Sequence, residues 1–176
     1  MIEPIFLIGF RATGKTTAGK RLARKLSCAF IDTDQQICLK KGATVQAIVE
    51  REGWEGFRRC EREVLGELAD VGGCVVATGG GAVLHRELWR DLKKKATVVW
   101  LRAESGVLLQ RILKDESTAA SRPSLSGKGL AEEMEEILNE REPLYREIAD
   151  CIVDTGQMAI DEAVAYIFKK VGTIKK

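Results

Sequence analysis

Gly9-Phe10-Arg11-Ala12-Thr13-Gly14-Lys15-Thr16 puts two glycines, a lysine and a hydroxyl residue at the fixed positions of the P-loop pattern G-x-x-x-x-G-K-[ST]. A loop of this kind cradles a nucleotide triphosphate. Its backbone N–H groups, and those of the first turn of the helix behind it, point at phosphate oxygens, and the helix end adds partial positive charge. Gly9, Ala12, Thr13, Gly14, Lys15, Thr16 and Thr17 are therefore the candidate ATP-binding residues. Lys15 reaches the β- and γ-phosphates, and Thr16 offers its hydroxyl to Mg²⁺.

Such a loop also needs a carboxylate on the metal side. The strand at Cys74-Val75-Val76-Ala77 ends in Thr78 and glycines and supplies none, so Asp32 is the candidate, holding Mg²⁺ through its water ligands because Mg²⁺ dehydrates reluctantly. Asp34, two positions on, points the same way if the chain stays extended. An Asx-turn or a helix cap is the alternative use for both acids. Gly79-Gly80-Gly81 marks a place where a ligand approaches main chain closely, or else a flexible connection. It is not G-x-G-x-x-G, so it supports a dinucleotide site only weakly. Arg58, Arg122 and Arg141 carry planar forks suited to carboxylate or phosphate.

These residues must be positioned by elements whose signals alternate. Ile5-Phe6-Leu7-Ile8 reads as a buried parallel strand before the glycine loop, and Thr17 to Ser27 as a helix with Ala18, Leu22 and Leu26 on one face. Ala29-Phe30-Ile31, Cys74 to Ala77, Thr97 to Leu101 and Cys151 to Val153 are further strands. Helical patterns run over Gln35–Lys41, Thr44–Glu52, Trp54–Ala69, Leu84–Lys94, Glu104–Lys114 and Ala131–Ile148, with a closing helix that carries Ile160, Val164, Ile167 and Phe168; Pro143 kinks or divides the long one. Strands alternating with helices imply a parallel sheet with right-handed crossovers. Residues 115–128 form the one long stretch without a pattern, and in a compact domain such a loop is functional.

The chain of 176 residues fits a single domain, 1–176, with no room for a separate substrate domain. Its formal charge of +2 arises from nearly balanced acids and bases, which argues against a general nucleic-acid footprint. Cys28, Cys38, Cys60, Cys74 and Cys151 are an odd number without C-x-x-C pairs and read as reduced packing residues. No apolar stretch approaches the roughly 20 residues that span a bilayer. The expectation is a soluble cytoplasmic protein.

Taken together, G-F-R-A-T-G-K-T-T, the D-T-D at 32–34, F-R-R-C-E at 57–61, T-G-G-G at 78–81, R-P at 122–123 and R-E-P-L-Y at 141–145 resemble the shikimate kinase family in order and approximate spacing, over nearly the whole chain. The resemblance implies a nucleoside-monophosphate-kinase-like three-layer α/β P-loop fold: a five-stranded parallel sheet, a substrate-binding helical insertion at about 33–62 and a mobile lid at about 115–128. It implies transfer of the ATP γ-phosphoryl to the 3-hydroxyl of shikimate, on the route to chorismate and aromatic amino acids, by a monomer using one Mg²⁺. Asp34 resembles the aspartate that orients or deprotonates the hydroxyl. Arg58 and Arg141 resemble the pair gripping the shikimate carboxylate, Gly79, Gly80 and Gly81 the wall of its pocket, and Glu61 an acid bracing it. Arg122 takes the lid position over the transferring phosphoryl group, so that Lys15, Asp34 and Arg122 are the catalytic set. Arg111 and the turn Asp154-Thr155-Gly156 lie near the adenine. Ala12 departs from the glycine many members carry.

Two other readings stay open: a kinase of the same architecture acting on gluconate or a nucleoside monophosphate, and an ATP-sensing module without catalysis. His85, the only histidine, reads as a surface or helix-start residue, since no partner motif accompanies it. Trp54, Trp89 and Trp100 read as packing, with Trp54 close enough to Arg58 to border the pocket. Lys93 to Lys95 read as a solvated helix end, and Glu132 to Glu136 as an exposed face near a helix start.

Overall fold

The structure is a computed structural model that describes residues 3–114 and 129–174. Among them, β1 (Ile5–Ile8), β2 (Ala29–Asp32), β3 (Cys74–Ala77), β4 (Thr97–Arg102) and β5 (Cys151–Asp154) form one sheet in the order β2-β3-β1-β4-β5, and every pairing is parallel. The connecting helices are α1 (Lys15–Leu26), α2 (Thr33–Lys41), α3 (Val45–Leu68), α4 (Arg86–Lys95) and α5 (Ser105–Lys114), followed by α6 (Leu130–Ile148) and α7 (Ile160–Ile174). This is the expected five-stranded parallel sheet.

Alternation along the buried strands sends side chains to two apolar layers. Phe6, Ile8, Val76, Val98 and Trp100 face α3, α4 and α6, while Ile5, Leu7, Val75, Val99, Leu101 and Val153 face α1 and α7. A third cluster, with Phe10, Leu108, Ile112, Met134 and Ile137, joins α5 to α6 beyond the strand ends. Register levels the strands at the working edge: Ala77 pairs with Leu7 on one side and Asp32 on the other. The loops after β1, β2 and β3 thus leave the carboxyl edge together, where open α/β sheets bind ligands.

The two expected helix breaks come out differently. Pro143 neither ends nor divides α6, which runs as one helix from Leu130 to Ile148. Its missing N–H removes a single bond, and Ile137, Arg141, Tyr145 and Ile148 bury the turns on both sides. The helical patterns at 44–52 and 54–69 are, as expected, two limbs, which meet within α3 at Gly53, whose φ of 68° and ψ of 176° no helix accommodates.

Candidate active site

The glycine loop wraps its own lysine. Gly9 (φ 138°) and Gly14 (φ 90°) take left-handed values, and Gly14 caps the amino end of α1. Ala12 also stands at φ 61°, a left-handed position for a residue with a Cβ. The Thr13 hydroxyl donates to Phe10 O at 2.8 Å, and Lys15 Nζ donates to Gly9 O at 2.9 Å and Phe10 O at 2.6 Å. Behind the loop, Arg111 donates to Ala12 O at 3.2 Å and to Thr155 O at 2.6 Å, and the Thr155 hydroxyl donates to Thr13 O at 3.0 Å. Arg111 and the Asp154–Gly156 turn therefore brace the loop's main chain.

Asp32 has two functions at once. Its Oδ1 accepts from Asp34 N at 3.1 Å and Gln35 N at 3.3 Å, capping α2, while Oδ2 accepts from the Thr16 hydroxyl at 2.9 Å. The cap ends the strand at Asp32, so Asp34 does not continue it in extended form; it sits in the first turn of α2. The premise of an extended D-T-D therefore fails, because a capping carboxylate favours the helix two residues earlier than expected. A hydroxyl and a carboxylate oxygen 2.9 Å apart beside a phosphate loop are hard donors that fit Mg²⁺. Among the described residues no three His, Cys, Asp or Glu side chains cluster to enclose an ion, so the pair suits a metal that shares its ligands with water and phosphate.

The turn after β3 is pinned on both sides. Thr78 N donates to Leu7 O at 3.1 Å, and Gly79 N donates to the Thr33 hydroxyl at 2.9 Å. None of Gly79, Gly80 and Gly81 has positive φ, so space rather than backbone freedom explains them. A Cβ on Gly79 would lie 2.6 Å from Glu61 Oε1 and 2.7 Å from Asp34 Oδ1, and one on Gly81 would lie 2.1 to 2.2 Å from the Arg58 guanidinium. The glycines let these charged side chains close onto main chain.

A cavity of about 530 Å³, including its open mouth, lies between this wall, the glycine loop, α3 and α6. Asp34, Arg58, Gly79, Gly80, Gly81 and Arg141 all line it, and Trp54 borders it with Val45 and Phe57. Arg58 donates to Glu61 Oε2 at 2.6 Å within the second limb of α3, and its guanidinium carbon lies 5.6 Å from the Trp54 ring and 5.5 Å from Phe57. The buried Tyr145 hydroxyl donates to Gly80 O; burial pushes this phenol far above its usual range, which keeps it a neutral donor.

Four neighbours were not anticipated. Arg11 and Glu133 line the cavity, giving three guanidinium groups (Arg11, Arg58, Arg141) against three carboxylates (Asp34, Glu61, Glu133). Burial lowers the Arg11 pKa, with the Arg141 charge adding to that effect and Glu133 opposing it. Glu133 is buried rather than exposed, unlike Glu132, Glu135 and Glu136. Its spacing of four from Ile137 and eight from Arg141 places all three on one helical face, a signal that composition hid. His85 does begin α4, but its side chain is only 12% exposed and its Nε2 lies 3.1 Å from Glu61 Oε2. Tyr145 completes the set. Arg122 and the proposed lid at 115–128 lie outside the described residues.

The shikimate kinase family model matches residues 11–172. This chain belongs to the shikimate kinase family. Among its relatives, a shikimate kinase of Syntrophus aciditrophicus is 42% identical over 174 residues, covering 94% of this chain and 89% of its own, and a shikimate kinase 2 of Escherichia fergusonii is 46% identical over 154 residues, covering 88% and 84%. A solved shikimate kinase from Acinetobacter baumannii, in complex with shikimate, superposes with a TM-score of 0.90 at 36% identity, covering 99% of this chain and 96% of its own. The match runs from within the glycine loop, through α1, into α7, and so takes in every residue lining the cavity except Phe10. Trp89 and Trp100 are packing residues, as expected, both buried in the layer beneath α4. No described helix is long and apolar enough to cross a membrane.

Proposed function

We propose that this chain transfers the γ-phosphoryl group of ATP to the 3-hydroxyl of shikimate, giving shikimate 3-phosphate and ADP. The observation that carries the reading is the junction of the two halves: a Cβ on Gly80 would lie 3.6 Å from Gly9 O and from Arg11 N, and 3.8 Å from Arg141 Nη1. The guanidinium-lined cavity therefore opens directly on the phosphate loop. Arg11 Nε and Arg141 Nε are buried without hydrogen-bond partners among the described residues, which suits an entering carboxylate.

In this reading Arg58 and Arg141 grip the acid, the Gly79–Gly81 wall seats its ring, and Asp34 places the 3-hydroxyl in line with the γ-phosphorus. The new bond joins the 3-oxygen to that phosphorus, the bond to the β–γ bridging oxygen breaks, and Asp34 takes the hydroxyl proton late. Lys15 turns its ammonium to the β- and γ-phosphates. Thr16 and Asp32 hold one Mg²⁺, which offsets charge on the phosphates when bound. Arg122 is assigned, on the family resemblance, to the charge spreading over the transferring group, where such an arginine is worth about 10³ to 10⁵ in rate in other P-loop enzymes. Alignment and charge, rather than covalent help, carry the reaction. A cytoplasmic monomer completes the proposal.

ADP release measured in parallel with shikimate, gluconate and nucleoside monophosphates tests it, with the product identified. Shikimate alone should support turnover, and Asp34→Asn should bind ATP normally while losing most of kcat. Turnover on one of the other acceptors only, or on none, would sink the reading.

A further inference from the structure

His85 follows the glycine wall by one 3₁₀ turn, Ala82–Leu84, and its backbone N–H donates to Ala82 O at 3.2 Å. The turn brings the imidazole onto Glu61. His85 Nε2 and Arg58 Nη1 meet the same carboxylate oxygen, Oε2, at 3.1 Å and 2.6 Å. An ionised carboxylate only accepts, so Nε2 carries the proton. The Glu61 side chain is fully buried, a costly place for a charge unless donors hold it. With Arg58 as sole donor, one hydrogen bond and the close packing of Oε1 against Gly79 would be left to set the carboxylate plane. The imidazole supplies a second direction and fixes the plane. The aromatic faces of Trp54 and Phe57 do not supply this, because a cation over a ring is held at a distance rather than at an angle.

We propose that His85 is a positioning residue of the acceptor site: its Nε2–H holds Glu61, and through Glu61 the Arg58 fork, in the orientation that receives the substrate carboxylate. His85 itself does not line the cavity, so it acts only through Glu61. The proposal rests on the reading that Arg58 grips shikimate.

His85→Leu removes the donor and keeps bulk, whereas His85→Gln returns an amide N–H near the place of Nε2. The shikimate KM should rise about tenfold in His85→Leu, as loss of a hydrogen bond to a charged group predicts, with the ATP KM and kcat within about twofold. His85→Gln should bring the shikimate KM back to within about threefold of wild type. An unchanged KM in His85→Leu, a glutamine variant no better than the leucine one, or an ATP KM rising in step with that for shikimate would overturn the proposal. Because the chain has one histidine, its ring is read by NMR without assignment. The wild-type Nε2–H should appear as a proton in slow exchange with water, and its absence would overturn the contact even if a variant failed to fold. Wild-type protein inert toward shikimate would sink the functional reading instead, and the ring proton would still decide whether His85 holds Glu61.

Discussion

A Cβ on Gly81 would lie 2.1 to 2.2 Å from the Arg58 guanidinium, whereas one on Gly9 would lie 2.2 Å from the Leu101 carbonyl oxygen. Those overlaps are equal in size and opposite in consequence. A guanidinium ends a flexible side chain and can swing aside, loosening its bond to the buried Glu61, while Leu101 is the main chain of β4 and cannot. Gly9 also holds φ 138°, a region closed to other residues. Gly81→Ala should therefore raise the shikimate KM about tenfold or more, because Arg58 is displaced from its seat, with a fall in Tm smaller than that of Gly9→Ala because His85 still holds Glu61. Gly9→Ala should cost about 3 kcal/mol and lower Tm by about 10 °C. Thermal melts and steady-state kinetics on both variants check the contrast. A Gly81→Ala protein that melts early yet keeps its shikimate KM would mean that the wall is structural.

The segment Thr78 to His85 is held by two helices, since Tyr145 of α6 donates to Gly80 O and Trp89 Nε1 of α4 donates to Ala82 O at 2.8 Å. Helix α6 thus carries Arg141 into the cavity and, one turn later, pins the wall opposite it. Tyr145→Phe keeps the stacking on Trp100, at 5.7 Å between centroids, but leaves the Gly80 carbonyl buried without its donor. That loss is worth about 1 to 3 kcal/mol, so Tm should fall by about 5 °C, with a rise in shikimate KM as the wall relaxes. A variant with wild-type Tm would show that water replaces the hydroxyl. Most of this architecture was legible: the strands announced themselves as short apolar runs, and the glycine loop and the cavity arginines Arg58 and Arg141 by motif. What stayed hidden is tertiary. The partner of His85 lies 24 residues upstream on α3, Glu133 was masked by a run of glutamates whose helical phase alone separates buried from exposed, and the start of α2 was set by a capping bond from Asp32.

Burial also couples the fold to alkaline pH. Desolvation raises the thiols of Cys28, Cys38, Cys74 and Cys151 above their ordinary range, and it raises the Tyr145 phenol further. Each group is neutral when protonated, so the folded chain holds these protons more tightly than the unfolded chain does. Their contribution is fully present below the unfolded values, about 8.5 for a thiol and about 10 for a phenol, and is lost as pH climbs past them toward the folded ones. Four of the five share the sheet and its two apolar layers: Cys74 lies on β3, Cys151 on β5, Cys28 packs against the α1 side and Tyr145 against the α4 side. Ionising any of them places a charge where both layers exclude water, so the loss acts on the whole fold and not on one loop. Tm followed by circular dichroism should hold roughly level from pH 7 to about 8.5 and then fall progressively to pH 11. The decline above pH 10 should be shallower in Tyr145→Phe, which has no phenol to ionise. A wild-type Tm that stays flat to pH 11 would mean that these groups titrate in the folded protein as they do in the unfolded chain, and that the two layers do not exclude water as their packing implies.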